Sequence, residues 1–221
     1  MTLIPIVAAA PALEILIRRI QTLLYSDATP VPGVVLDALH TVPLTHRNLC
    51  ASARSTGAAL ALGPQDRCLN LATLSHMYGL CMVLASLAAG ASVASAPEFD
   101  AGRFSSWLDA CRTTWYVAGP AMHQAILVPA AAHRAVVERR PVRLSRLGAS
   151  PLPPWVLRDL ERTFDVPVIE AYGLTEAAPL LACKPLPPRP RKPGSIGLAA
   201  GVELAILGSM ARPCPTGRPG R

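Results

Sequence analysis

Between Thr45 and Tyr172, apolar runs of strand length alternate with runs of helix length, and glycine or proline stands at most of the junctions. Thr45 suits the N-cap of a helix reaching about residue 62, where Gly63-Pro64 ends it. Residues 67–72 then read as a strand, 79–89 as a buried helix stopped by Gly90, and 91–96 as a second strand. In AGRFSSWLDACRT, Phe104, Trp107, Leu108 and Cys111 fall at i, i+3, i+4 and i+7, which gives a helix one apolar stripe. Trp115–Ala118 is the next strand, and Gly119-Pro120 turn into a helix carrying Met122, Ile126 and Leu127. Residues 143–147 form a strand candidate despite two arginines, Pro153-Pro154 open a helix with Val156, Leu157, Leu160 and Phe164 on one side, and 167–172 complete the series. Strands that alternate with helices through short connections pair in parallel, because each helix carries the chain back to the starting edge. The expected class is therefore α/β, a largely parallel β-sheet flanked by helices.

Beyond residue 179 the texture changes. KPLPPRPRKPG is a proline-rich loop, residues 202–207 read as a last strand, and the end is turn and tail. The opening run, MTLIPIVAAAPALEILIRR, is apolar but broken by Pro5, Pro11 and Glu14, and it falls short of the ~20 residues a membrane span needs. Positive charge follows this run where a signal peptide would have it precede. No membrane span is expected.

The formal charge of +7 raises the possibility of an anionic partner. The only dense basic run, Arg189 to Pro193, is interrupted by prolines and carries no aromatic side chain to stack on bases, so it reads as a solvated loop. No nucleic-acid partner is expected. The six cysteines form no CxxC pair and most lie in apolar periodic segments, where cysteine acts as a small core residue; a reducing, cytoplasmic setting fits.

In a parallel sheet covered by helices, ligands gather where strands end at their carboxyl side. Three polar or small segments fall there: Ser75-His76, Gly148-Ala149-Ser150 and Tyr172 to Glu176. The last belongs to IEAYGLTEAAP, residues 169–179, in which a strand feeds an aromatic ring, a glycine, and then a hydroxyl beside a carboxylate. By themselves Thr175 and Glu176 could cap and charge a helix start. His76 could be an ordinary loop histidine, and Gly148 to Ser150 a plain strand-to-helix turn.

Taken in order, LTHRNL at 44–49, SHMYG at 75–79, GASPLP at 148–153 and EAYGLTE at 170–176 resemble the adenylate-forming superfamily of acyl-CoA synthetases, luciferase and peptide-synthetase adenylation domains. TWYVAGPAMHQAIL and PLPPRPRKPGSIGL look most like the small-acid ligases of the oxalate–CoA ligase type. The resemblance implies part of the large N-terminal domain of that fold, over residues 41–208, with a poorly assigned segment at 1–40 and a tail at 209–221. It implies ATP, Mg²⁺ and coenzyme A as co-substrates and cofactor, and a small carboxylic acid as partner. The acid attacks the α-phosphorus of ATP, pyrophosphate leaves, and the thiol of coenzyme A displaces AMP. Carried over position by position, Glu176 would hold Mg²⁺ and Thr175 would donate to the α-phosphate. Tyr172 would stack on adenine, with Ala171, Gly173 and Leu174 beside it. Gly148, Ala149 and Ser150 would line the other side of the base, and His76 would stand next to the acyl carboxylate.

The sequence also departs from the family. The glycine-rich, lysine-bearing phosphate loop belongs directly before LTH, yet this chain reads LDALHTVPLTHRNL there. Residues 1–40 contain a single glycine, Gly33, and no lysine. Backbone amides and a cation in that loop neutralise the leaving pyrophosphate, so adenylation by this chain alone is expected to be impaired. The family's C-terminal domain with its catalytic lysine also has no counterpart before Arg221, and Lys184 and Lys192 match no such position. Ser75 replaces the usual phenylalanine and Tyr78 the second histidine of the acyl-site motif. An alternative is a non-catalytic remnant that binds adenine nucleotide or a protein partner.

Overall fold

The computed structural model describes residue 42 and residues 44–206 apart from 97 and 149, with the side chains of 130–134 left aside. The opening segment, the tail at 209–221 and Ala149 lie outside the described residues.

The first helix, α1 (His46–Ala59), starts where a hydroxyl can satisfy orphan amides: Thr45 Oγ1 accepts from the Asn48 amide at 3.2 Å, and Asn48 Oδ1 accepts from the Thr45 amide at 3.0 Å. That reciprocal capping box fixes the helix start. Strand β1 (Arg67–Asn70) follows, then α2 (Met77–Ala88) and β2 (Ser92–Ser95). Gly90, at φ +74°, takes the left-handed turn between α2 and β2 that a side chain would resist. Helix α3 (Phe104–Cys111) leads to β3 (Trp115–Ala118), and two helices, α4 (Pro120–Leu127) and α5 (Ala130–Arg139), lead to β4 (Leu144–Leu147). Helix α6 (Pro154–Phe164) and β5 (Val168–Tyr172) close the parallel set.

The sheet runs β2-β1-β3-β4-β5 in parallel, then continues through β6 (Ala182–Cys183) and β7 (Leu198–Ala199) in antiparallel pairing. One register row joins Leu69, Tyr116, Ser145 and Val168; the next joins Asn70, Val117, Arg146 and Ile169. Adjacent rows face opposite sides of a sheet. Tyr116 accordingly meets Phe104 of α3 edge-on at 5.1 Å, and Phe104 meets Phe164 of α6 at 6.2 Å. Arg146 instead lies beneath Tyr78 of α2, on the other face. Helix α2 is buried continuously from Tyr78 to Leu87 because it is clasped between the sheet and α1, which explains an apolar run with little amphipathic bias.

The α/β expectation holds. The last expected strand does not. Residues 202–206 form no strand; they are exposed and irregular, and the sheet is extended by two-residue strands at 182–183 and 198–199. Helix α5 falls in a stretch to which the sequence reading assigned no element. The core face of α4 is His123 and Ile126, whereas Met122 and Leu127 are half-buried. The proline-rich loop is more than a solvated segment: Arg191 Nη2 donates to Glu161 Oε1 at 2.8 Å, and that oxygen also accepts from the Val168 amide at 2.9 Å, which fastens the loop to α6 and β5.

Across the opposite end of the sheet, Arg143 clasps Asp66 by Nε to Oδ1 at 2.7 Å and Nη2 to Oδ2 at 3.0 Å, while its Nη1 donates to the Leu60 carbonyl at 2.9 Å. This fork joins the end of α1, the start of β1 and the entry to β4. Desolvation alone would raise the Asp66 carboxyl; the hydrogen bonds from Arg143, Gly63 and Thr114 and the charge of Arg143 outweigh it and hold the group below its ordinary range.

Candidate functional site

The carboxyl ends of β4 and β5 and the start of α2 enclose a cleft of about 270 Å³. His76, Gly148, Ala171, Tyr172, Gly173, Leu174, Thr175 and Glu176 line it, together with Met77, Tyr78, Met82, Arg146 and Leu180. The three segments singled out in the sequence therefore converge at one place, although 72 or more residues separate His76 from Gly148 and beyond. Ser150 faces a neighbouring cavity of about 470 Å³ that it shares with Tyr172, Leu174 and Ile196. Tyr172, 43% exposed, borders both spaces. An exposed ring between two cavities offers a stacking face.

Backbone geometry builds this cleft. The Tyr172 carbonyl accepts from the Leu181 amide at 3.0 Å, so the chain leaves β5, makes one 3₁₀ turn at Thr175–Ala177, and returns immediately as β6. Gly173 sits at the tightest point, where a Cβ would overlap the Pro179 carbonyl. The close approach at this glycine is thus made by the protein's own backbone. Gly148 has a similar reason: a Cβ there would overlap the Tyr78 ring.

Thr175 and Glu176 do not cap the 3₁₀ turn, whose N-cap residue makes no side-chain hydrogen bond. Both are exposed, and among the described residues neither side chain has a hydrogen bond or ion pair. A hydroxyl and a carboxylate on a cleft rim without partners are free to meet a ligand. His76 is the N-cap of α2, and its Nδ1 accepts from the Tyr78 amide at 3.1 Å. That bond fixes the ring and leaves Nε2 as its remaining polar atom.

Sequence reasoning missed Arg146 and Met82 as lining residues, while Tyr78 stands in the acyl-site motif. The signal for Arg146 was present as an arginine inside an apolar strand. Tyr78 donates its hydroxyl to the Arg146 carbonyl at 2.8 Å in the buried layer beneath the cleft; burial pushes its phenol well above the usual range, with the Arg146 charge opposing that shift. Among the described cysteines, Cys68, Cys81 and Cys183 are buried as core and Cys50 and Cys111 are half-buried. Burial drives the thiols of Cys68 and Cys183 upward and that of Cys81 up to about 12, so they stay protonated. Among the described residues, no group of three or more His, Cys, Asp or Glu side chains is placed to hold a metal, and no helix is long and apolar enough to cross a membrane.

Residues 41–221 match the family described as AMP-binding enzyme. Among curated proteins, the chain is 41% identical over 170 residues to oxalate–CoA ligase of Arabidopsis thaliana, covering 75% of this chain and 33% of that protein. It is 35% identical over 188 residues to sulfoacetate–CoA ligase of Cupriavidus necator, covering 81% of this chain and 35% of the relative. The chain thus spans about a third of the length of these relatives. Among solved structures, apo MatB from Rhodopseudomonas palustris superposes with a TM-score of 0.75 at 22% identity, covering 85% of this chain and 37% of that one. Fold, motif order and the match over most of its length agree: the chain belongs to the AMP-binding enzyme family.

Proposed function

We propose that the cleft is the nucleotide side of an acyl-adenylate-forming site, serving ATP-dependent activation of a small carboxylic acid for thioester formation with coenzyme A. The observation that carries this reading is the convergence of His76, Gly148, Tyr172, Thr175 and Glu176 on one cleft, with Thr175 and Glu176 making no bond within the described fold. The named relatives that act on oxalate and sulfoacetate support a short acid carrying two negative charges.

In this reading the Tyr172 ring stacks on adenine and Thr175 donates to an α-phosphate oxygen. His76 Nε2 orients the acid carboxylate for in-line attack on the α-phosphorus. A carboxylate is a poor electrophile, and conversion to a mixed anhydride with AMP supplies the leaving group; the protein's task is to align two anions. Glu176, exposed and unpaired, fits a hard divalent cation that takes one carboxylate and completes its shell with phosphate oxygens and water. Bound there, Mg²⁺ would neutralise phosphate charge, and Glu176 would position it.

The sequence at 33–44 favours a limit on this activity. Where the family has glycines and a lysine around the β- and γ-phosphates, this chain has none between Gly33 and Leu44. We therefore expect the chain to bind AMP but to show no ATP–pyrophosphate exchange with oxalate or short-chain acids. Exchange that depends on Glu176 would show that adenylation does not need that loop here.

A further inference from the structure

Among the described residues, Arg146 is a buried cation without an anion. It is 2% exposed, and its Nη1 donates to two neutral acceptors, the carbonyls of Leu147 at 2.8 Å and Ile169 at 3.2 Å. Its Nε is buried and reaches no partner, and among the described residues no carboxylate pairs with it. Other shielded cations are matched: Arg143 with Asp66, Lys184 with Glu170, Arg191 with Glu161. An unmatched buried charge is costly, so the fold's tolerance of this one calls for a reason. Its position supplies one. Arg146 lies in the lining of the same cleft as His76, Gly148, Thr175 and Glu176. Tyr78 holds it there, with its ring 6.0 Å from the guanidinium carbon and its hydroxyl on the Arg146 carbonyl. Gly148 leaves the room that this ring occupies.

We propose that Arg146 receives the second anionic group of a small dianionic acid and so determines specificity at this site, an inference that rests on the function put forward above. Thr175 and Glu176 are exposed at the rim, whereas Arg146 is buried at the floor. The group that reaches the guanidinium is therefore the end of the acid far from the phosphates, and the reacting carboxylate stays near His76. A cleft of about 270 Å³ suits a short acid. A carboxylate or sulfonate matches the planar, forked donor, while a monoanion leaves the buried charge unanswered. A nucleotide phosphate offers the same oxyanion chemistry, and the test separates the two.

The experiment is calorimetric titration of the full chain, with and without saturating AMP, using oxalate, sulfoacetate and glyoxylate, the last close in size to oxalate but with one charge fewer. Oxalate is expected to bind at least about tenfold more tightly than glyoxylate to the unaltered protein. Arg146→Lys, which keeps the charge but loses the fork, is expected to remove most of that preference while leaving AMP affinity within about threefold. Equal affinity for oxalate and glyoxylate in the unaltered chain overturns the proposal without reliance on any variant. Loss of AMP affinity as large as the loss for oxalate in Arg146→Lys assigns the guanidinium to the nucleotide and overturns it too. If AMP does not bind at all, the nucleotide reading fails separately; a preference for oxalate measured without AMP then still sustains the anchor, and its absence overturns it.

Discussion

Gly148 and His123 show how single residues are set by what surrounds them. At Gly148 the Tyr78 ring occupies the space of a side chain, so Gly148→Ala forces that ring, and the Arg146 carbonyl it holds, to move. The expected cost is about 1–3 kcal/mol of stability, read as a lower midpoint in urea, together with weaker oxalate binding. His123 is fully buried against Tyr116, with ring centroids 5.5 Å apart and neither ring nitrogen hydrogen-bonded. Burial lowers its pKa to about 4, with the nearby Arg146 backbone opposing the shift. Because the folded value lies below the unfolded one, this neutral histidine's contribution is full above about 6.5 and is lost as pH falls toward 4. The loss is on the order of 3 kcal/mol. His123→Leu should flatten the stability profile between pH 7 and 4; an unchanged profile in that variant would show that another group governs it.

Elements were legible in the sequence where burial was periodic or continuous. Trp115–Ala118, the stripe of Phe104, Trp107 and Leu108, and the capped start at Thr45 were all readable because local chemistry and packing agree there. β6 and β7 were not, since a two-residue strand has no period: β6 follows the tight turn at Gly173 and pairs with β5, and β7 exists by pairing with β6. Residues 202–206 have strand-like alternation but remain exposed, so pattern without a partner misled the reading. The candidate site was legible as segments and not as a set. Motif order brought out His76, Gly148, Tyr172, Thr175 and Glu176, while Arg146 needed the register row that carries it under the cleft. At the same scale, the Asp66–Arg143 fork joins α1, β1 and β4. Asp66→Asn should lower stability by about 2–4 kcal/mol at pH 7 by leaving a partly buried guanidinium unmatched. Because the folded Asp66 value is depressed, the wild-type contribution is present at neutral pH and is lost as pH falls below about 3.9, and the variant should lack that limb.

Over the whole molecule, a parallel sheet delivers the ends of β1, β4 and β5 to one rim, which lets residues far apart in sequence form a single cleft. At the edge of this sheet Leu198 is exposed, and in the irregular segment beyond β7 so are Val202, Leu204 and Ile206. Such a border favours association, so size-exclusion elution should shift to larger species as concentration rises; a single concentration-independent monomer peak would contradict this. The proposed activity depends on an adenine nucleotide binding at the rim of β5. Calorimetric titration of AMP into the full chain tests it most directly. Saturable binding is expected, which Tyr172→Ala weakens about 5- to 150-fold, the range of one stacked base, with no change in melting temperature. Absence of binding, or equal affinity in Tyr172→Ala, would contradict it.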